Sequence, residues 1–370
     1  MPPIFDKKNI IVTGGAGFIG SHVCEKLLAQ GNRVICVDNL ISSALSNIEF
    51  LLKNPDFEFI RHDISMPFDP EQFPELERFK VKFQGVQEIY HLACPMSPKA
   101  FEQTRMQILY ANSLGMKNIL DLAVKYKAKF LFTSSSSVYG PRPGDNHLLN
   151  ENEQGSVEMH GPRSCYDEGK RFAETCCRTY NQVHGVEIKI ARIFRTYGPR
   201  ERLFSGEMVP DFIVNALDNK EIEIYGDETF TTSLCYVTDV VDGLIKLMEV
   251  KGDLGPVNIG SDLDMPLVDV VRNILEMTGS TSKIVFKPSL LFMTPLGLPS
   301  LVKAKEKLGW MPLVPLDEGL KKIIDYTMAY KNLMAGFGQQ INAPQSMASA
   351  GGETAEKPKE NQVEEIDIGG

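Results

Sequence analysis

Three residues of this chain have the types and spacing needed to oxidise an alcohol. Tyr166 and Lys170 stand four residues apart, so on a helix their side chains share one face. A lysine ammonium beside a phenol lowers the pKa of the phenol, and the tyrosinate can take a proton from a hydroxyl while hydride leaves. Ser135 lies in a run of serines after a predicted strand, where its hydroxyl can hydrogen-bond the oxygen being oxidised.

The hydride acceptor is predicted from a glycine series near the start of the chain. Gly14, Gly17 and Gly20 follow an apolar run and precede a helical pattern. The first glycine permits a tight turn, the second lets the backbone approach a pyrophosphate, and the third lets the helix pack on the strand. Asp38 and Asn39 end the next predicted strand, where a carboxylate binds a ribose 2′-hydroxyl and repels a 2′-phosphate. We therefore expect NAD rather than NADP.

Alternating strand and helix patterns predict the framework that positions these residues. Apolar runs typical of buried strands alternate with segments of helix length, which indicates an α/β fold: a Rossmann-type doubly wound parallel sheet. Ligands of such sheets bind at the carboxyl ends of the strands. The predicted strands are residues 8–12, 33–37, 57–60, 88–93, 129–133 and 187–191, and the predicted helices are 21–30, 107–126 and 166–184.

The alternation loosens after Gly198, which indicates a second, smaller lobe. We expect residues 1–200 to form mainly the NAD-binding domain and residues 201–335 mainly a mixed substrate-binding lobe. Residues 336–370 have few bulky apolar side chains, and we expect a disordered tail there. Within the second lobe, strands are predicted at 221–225 and 257–260, and helices at 208–219, 268–278, 301–309 and 316–331.

Composition narrows the class of protein. The 370 residues carry a net charge of −9, which disfavours a nucleic-acid or anionic-membrane partner. No apolar run approaches the roughly 18–20 residues of a membrane span, and the N-terminus lacks a signal-peptide pattern, so we expect a cytoplasmic enzyme. The seven cysteines are scattered without a C-x-x-C pair, which argues against a disulfide framework and a metal site.

Taken together, these motifs resemble those of the extended short-chain dehydrogenase/reductase family, also called the NAD-dependent epimerase/dehydratase family. The resemblance is to members that act on nucleotide sugars. The likeness spans residues 8–330 and is strongest toward its UDP-glucuronate decarboxylase (UDP-xylose synthase) branch. Residues 91–98, 161–171, 191–194 and 196–200 carry it, and residues 224–227, 236–239 and 308–310 match general features of the family.

The resemblance implies roles for individual residues and for partners. Ser135 would be the catalytic serine, Tyr166 the base and Lys170 its partner, while Asn112 would support the active-site backbone. It also implies a UDP-sugar substrate and a homodimer. The further cofactor-binding residues are Phe18, Ile19, Asp63, Ile64, Ala93 and Pro95, together with Tyr166 and Lys170, whose ammonium can hold the nicotinamide ribose. The substrate-binding residues are Ser136, Ser137, Arg195, Arg200, Val209 and Tyr225.

Three positions depart from the decarboxylase pattern. Ser137 stands where the branch has a Glu, and Thr232 stands where it has an Arg. The resemblance implies that this Glu and this Arg take part in decarboxylation and protonation. Arg195 stands where the branch has an Asn. Arg195 either binds a phosphate or carboxylate with both guanidinium arms or faces solvent.

These departures leave three functions open. Decarboxylation of UDP-glucuronate to UDP-xylose ranks first because the overall likeness is broader. The serine-rich loop at 134–137 is similar to that of 4-epimerases of the family, so UDP-sugar 4-epimerisation is the alternative. The third possibility is a non-catalytic relative that binds NAD and a nucleotide sugar.

Overall fold

Fifteen strands occur in the residues that the computed structural model describes, namely 7–142, 147–288 and 296–341. They are β1 (Asn9–Thr13), β2 (Arg33–Asp38), β3 (Phe57–Arg61), β4 (Glu88–His91), β5 (Lys129–Ser135), β6 (Leu148–Leu149), β7 (Ile188–Ile193), β8 (Thr196–Tyr197), β9 (Ile222–Tyr225), β10 (Thr231–Thr232), β11 (Cys235–Tyr236), β12 (Pro256–Ile259), β13 (Met265–Pro266), β14 (Ile284–Lys287) and β15 (Leu298–Pro299).

The same residues form ten α-helices. They are α1 (Phe18–Ala29), α2 (Val81–Gln84), α3 (Phe101–Tyr110), α4 (Met116–Tyr126), α5 (Ser164–His184), α6 (Met208–Leu217), α7 (Val237–Glu249), α8 (Leu267–Thr278), α9 (Val302–Leu308) and α10 (Leu316–Ile341).

A seven-stranded sheet in the order β12-β7-β5-β4-β1-β2-β3 confirms the predicted fold class. Every pairing in it is parallel. Strand β1 is fully buried, with apolar Ile10, Ile11 and Val12 at its centre, because helices cover both faces of the sheet. The strand order reverses between β1 and β4, and at such a point the connecting loops diverge and leave a crevice.

Three local features differ from the sequence-based expectation. The helix predicted at 107–126 begins earlier, at Phe101, and a π-helical turn at Ala111–Gly115 divides it into α3 and α4. Helix α7 was not predicted, although its buried face carries Val240, Leu244 and Leu247. Strand β12 pairs with β7, so a segment from the second part of the chain joins the central sheet.

The C-terminal part of the chain is described only in part. Helix α10 extends to Ile341, beyond residue 336 where the predicted tail begins, and residues 342–370 of that tail lie outside the described ranges. The chain divides into two units, residues 1–329 and 330–370, and the sheet belongs to the first. The division into a cofactor domain and a substrate lobe stays a prediction. No described helix is both long and apolar enough to cross a membrane.

Candidate active site

The glycine series forms the turn between β1 and α1. Gly14 has a φ of +70°, and a Cβ there would lie 2.8 Å from the backbone of Ala93. Gly17 donates a backbone hydrogen bond to the Gly14 carbonyl at 3.0 Å. A Cβ on Gly20 would lie 2.1 Å from the same carbonyl oxygen. Glycine at 14 and 20 is therefore required by close backbone packing.

The start of α1 has the properties of an anion site. The first N–H groups of a helix have no intrahelical partner and carry a partial positive charge. The first turn of α1, which includes Phe18 and Ile19, holds no acidic residue. Among the described residues, a Cβ on Gly17 would contact nothing within 4 Å except the Gly14 carbonyl oxygen. This open cradle fits a dinucleotide pyrophosphate.

Asp38 connects the glycine turn to the loop that follows β2. One carboxylate oxygen accepts from the Ala16 N–H at 3.1 Å, and the other accepts from Leu40 N–H at 2.9 Å and the Ser43 hydroxyl at 2.7 Å. Each carboxylate oxygen has two lone pairs and can accept two hydrogen bonds. The oxygen that accepts from Ala16 can therefore accept one more, from a ribose hydroxyl. Asn39 donates to the Asp63 carboxylate at 3.0 Å, so these two predicted cofactor-binding residues lie side by side.

The other predicted cofactor residues differ in their surroundings. Ala93 lies against Gly14, as the short distance above shows, and Pro95 is buried two residues further along the loop after β4. The Ile64 side chain belongs to the hydrophobic core, and its carbonyl accepts from Asn118 at 2.9 Å. Contact of a ligand with Ile64 would therefore involve its backbone.

Ser135 and Tyr166 come together at the carboxyl end of β5. The Ser135 hydroxyl accepts from the Ser137 N–H at 3.1 Å, which fixes its oxygen. It also lies near the Tyr166 phenol and lowers the pKa of that phenol, which favours the phenolate. Asn112, in the π-helical turn, donates to the Ile108 carbonyl at 2.9 Å and to the Cys94 sulfur at 3.3 Å, and it packs against Gly169 of α5.

Lys170 lies one turn after Tyr166 and is buried. Its Nζ donates to the Thr133 carbonyl at 2.9 Å and lies 5.8 Å from the centre of the Tyr166 ring. Burial lowers the pKa of Lys170. The sequence-based expectation of a lowered phenol pKa is wrong for the protein alone: burial raises the pKa of Tyr166 because desolvation of the phenolate outweighs the favourable contacts.

Arg163 is a site residue that the sequence reasoning missed. Its guanidinium lies 5.6 Å from the centre of the Tyr166 ring and pairs with Asp167 at 3.2 Å. Its positive charge lowers the pKa of Tyr166 against the effect of burial. The signal was present in the sequence, since Arg163 stands three residues before Tyr166, the spacing of neighbours on a helix surface.

Two of the departures from the decarboxylase pattern lie in buried positions. Ser137 faces Asp167 and lines a cavity with Glu158 and Arg163. Thr232 is buried in the short strand β10, paired with β13. The neighbouring Ser136 hydroxyl is buried and has no hydrogen-bond partner among the described residues.

Arg195 is partly buried and lies among acidic side chains. This position matches neither of the two that were expected, which were binding of a ligand anion and exposure to solvent. It follows β7 beside the end of β5, because Ile193 pairs with Ser135. Glu207 and Glu201 are its charged neighbours, and Arg163 is also near. Burial raises the pKa of both carboxyls, and the Arg195 charge opposes that rise. A substrate anion at Arg195 would compete with these carboxylates.

The remaining predicted substrate residues each contact other parts of the protein. Arg200 pairs with Glu25 of α1 at 2.6 Å, and its guanidinium lies 4.6 Å from the centre of the Phe50 ring. Val209 packs in the core, and the Tyr225 hydroxyl donates to Glu223 at 2.8 Å. Within the described residues, no group of three or more His, Cys, Asp or Glu side chains could hold a metal ion.

Known proteins are similar to this chain over most of its length. A family model described as the NAD dependent epimerase/dehydratase family matches residues 10–260. UDP-glucuronic acid decarboxylase 1 of Xenopus tropicalis is 39% identical over 321 residues, which cover 87% of this chain and 72% of the relative.

Two solved structures share the fold. UDP-glucose 4-epimerase of Thermotoga maritima with UDP-glucose has a TM-score of 0.76 at 31% identity, covering 87% of this chain and 99% of the other. UDP-glucuronic acid 4-epimerase of Bacillus cereus with UDP-glucuronic acid and NAD has a TM-score of 0.75 at 28% identity and the same coverage. The glycine cradle, the Ser135–Tyr166–Lys170 arrangement and these matches agree, and the chain belongs to the NAD dependent epimerase/dehydratase family.

Proposed function

We propose that this protein is an NAD-dependent enzyme that oxidises a UDP-sugar at C4 and then reduces it again, so that the cofactor is recycled. The observation that carries the proposal is that Ser135 lies near Tyr166, with Lys170 one helical turn away, at the carboxyl ends of the strands, where the glycine cradle also lies. The solved relative from Bacillus cereus binds UDP-glucuronic acid and NAD on the same fold.

The roles of the chain's own residues follow from their contacts. NAD, when bound, accepts a hydride from the sugar C4 and later returns it. Tyr166 takes the proton of the C4 hydroxyl and gives it back on reduction. Ser135, whose oxygen is fixed by the Ser137 N–H, donates a hydrogen bond to the C4 oxygen. Lys170 places a positive charge beside the phenol and favours its deprotonated form.

We propose decarboxylation of UDP-glucuronate to UDP-xylose as the overall reaction. A ketone at C4 is β to the C6 carboxylate, so the C5–C6 bond can break with loss of CO₂, and its electron pair passes into an enolate that the ketone delocalises. A proton then adds at C5. The support is the 39–41% identity to proteins named UDP-glucuronic acid decarboxylase, which covers more than four fifths of the chain.

The second candidate is 4-epimerisation, which the serine loop favours. Ser136 and Ser137 are small and buried, and the decarboxylase pattern has a Glu in place of Ser137. Epimerisation needs oxidation at C4, rotation of the ketosugar and return of hydride to its other face. Ser135, Tyr166 and Lys170 supply the proton transfers for that sequence.

Incubation with NAD and UDP-glucuronate, followed by NMR of the sugar and measurement of CO₂, distinguishes these reactions. We expect a UDP-pentose with an equal amount of CO₂. UDP-galacturonate without CO₂ would contradict decarboxylation and establish the epimerase. Unchanged UDP-glucuronate would exclude both for this substrate. If no UDP-sugar then produced NADH absorbance in the protein-bound cofactor, the non-catalytic binding function would replace both.

We also propose a homodimer that buries the outer faces of α3 and α5, which pack against each other. Apolar side chains on these faces are exposed: Leu109 is 42% and Phe172 52% accessible, and the others are Met106, Tyr110 and Val183. Leu114, in the π-helical turn that follows α3, is exposed as well. Fully burying one such side chain contributes about 1.5–3 kcal/mol, so several of them on each protomer can stabilise an association.

Charged substitutions on this surface are expected to separate the protomers. Light scattering coupled to size-exclusion chromatography should give a dimer mass for the wild type and a monomer mass for Leu109→Lys combined with Phe172→Glu. Phe83→Glu is the matched control, because Phe83 is 86% exposed on α2 and lies outside the proposed interface. A dimer mass for the double variant would contradict this interface.

A cytoplasmic location is proposed as well. All seven cysteines are free thiols in the structure, four of them are buried, and free thiols are typical of proteins in reducing compartments.

A further inference from the structure

Glu174 lies on the same face of α5 as Tyr166 and Lys170, at the next turn of the helix. One of its carboxylate oxygens accepts from the Ser134 hydroxyl at 2.5 Å and from Arg192 Nε at 3.0 Å. The other accepts from Arg192 Nη2 at 2.8 Å. The Glu174 and Arg192 side chains are only 13% and 11% exposed, so this two-armed ion pair is shielded from solvent.

These contacts attach α5 to the ends of the strands that carry the site. Ser134 directly precedes Ser135 in β5, and Arg192 is the residue of β7 that pairs with Ser134. Lys170 holds the adjacent Thr133 carbonyl. Helix α5 is therefore bound to β5 at two consecutive residues, and Glu174 makes one of these two attachments and joins it to β7.

Glu174 also acts on the charge of Lys170. The groups that favour the ammonium form of this buried lysine are Cys94, Glu174 and Cys177. Burial raises the pKa of Cys177 well above its ordinary value, so that thiol is uncharged near neutral pH. His91 is also near Lys170. Burial, together with the Lys170 charge, lowers the pKa of His91 to about 3, so this side chain is uncharged as well. Glu174 thus brings a carboxylate charge to the lysine.

We propose that Glu174 is a positioning residue for the C4 oxidation: it fixes the end of β5 against Tyr166 and places its carboxylate one helical turn from Lys170. This inference rests on the proposed function for the identity of the reaction, whereas the effect of Glu174 on Lys170 belongs to the protein alone. Arg192 orients the Glu174 carboxylate through its two hydrogen bonds, and the Arg192 guanidinium lies 4.7 Å from the centre of the Tyr139 ring.

The test compares Glu174→Gln with Glu168→Gln and Glu174→Asp in the pH dependence of kcat and KM for UDP-glucuronate with saturating NAD. Glu168 is the matched control because it also lies on α5 but pairs with Arg171 at the surface, where its side chain is 40% exposed. For Glu174→Gln we expect a kcat about 10- to 100-fold lower and a nearly unchanged KM. The alkaline limb of the kcat–pH profile should lie about one pH unit lower, because Lys170 loses its proton more easily without the nearby carboxylate. Glu174→Asp should restore the position of this limb, and Glu168→Gln should resemble the wild type.

A second readout needs no turnover. NMR titration of lysine Cε carbons, with Lys170 assigned from Lys170→Arg, should show a lower Lys170 pKa in Glu174→Gln than in the wild type. If this pKa and the alkaline limb both stay at their wild-type positions, Glu174 is merely structural and the proposal fails. If the pKa falls but the wild type does not convert UDP-glucuronate, the Glu174–Lys170 link stands and the proposed substrate fails.

Discussion

Tyr166→Phe is expected to lower kcat by about 10²- to 10⁴-fold, the usual contribution of a positioned general base. NAD binding should be almost unchanged, because the glycine cradle and the loop around Asp38 make no use of the phenol oxygen. Phenylalanine keeps the ring that lies beside Arg163 and Lys170, so packing is retained and only the proton transfer is lost. NMR of the sugar product and calorimetry with NAD measure the two effects.

The pH profile gives an independent check of this role. Burial raises the pKa of Tyr166, so in the wild type the tyrosinate fraction, and with it kcat, should rise with pH on the acidic side. This dependence should vanish from any residual activity of Tyr166→Phe. Tyr180→Phe is the matched control, since Tyr180 lies on the same helix and its hydroxyl donates to Asp121 at 2.7 Å. Activity of Tyr166→Phe within tenfold of this control would show that another group is the base.

Gly20→Ala is expected to abolish NAD binding at concentrations that saturate the wild type. The added Cβ would lie 2.1 Å from the Gly14 carbonyl oxygen, a backbone atom, so either α1 or the glycine turn must move. Such a movement displaces the helix N-terminus from the pyrophosphate position. Overpacking of this kind also lowers the free energy of unfolding by about 1–3 kcal/mol. Calorimetry with NAD and thermal unfolding measure both effects.

Gly31→Ala is the control that distinguishes a loss of protein stability from a loss of the pyrophosphate cradle. Gly31 follows the other end of α1 with a φ of +81°, and a Cβ there would meet nothing within 4 Å. The left-handed backbone makes alanine costly by roughly 1–2 kcal/mol, yet NAD affinity should be retained. Wild-type NAD affinity in Gly20→Ala would mean that the pyrophosphate does not sit at this turn.

The sequence was sufficient for the fold and for the parts of the site that depend on local geometry. The Gly14, Gly17 and Gly20 spacing predicted a turn that the structure contains, because Gly17 and Gly20 both pack against the Gly14 carbonyl, within a few residues of the chain. The exclusion of a Cβ at Gly14 by Ala93 is a tertiary contact. The apolar runs predicted the parallel sheet, since strands buried on both faces need apolar side chains throughout. Helix α7 escaped prediction although its apolar period was present.

Only the tertiary structure decided the charges around the site. Tyr166 and Lys170 are one helical turn apart, yet whether the phenol pKa falls or rises depends on burial by other elements, and burial raises it. Arg195 was expected to meet a ligand or solvent, and the fold surrounds it with Glu201 and Glu207. Glu174 and Arg192 belong to different elements and had no sequence signal as a pair. Spacing along one helix or turn can be read from the chain, but desolvation and ion pairing depend on segments distant in sequence, so these properties arise only when the chain folds.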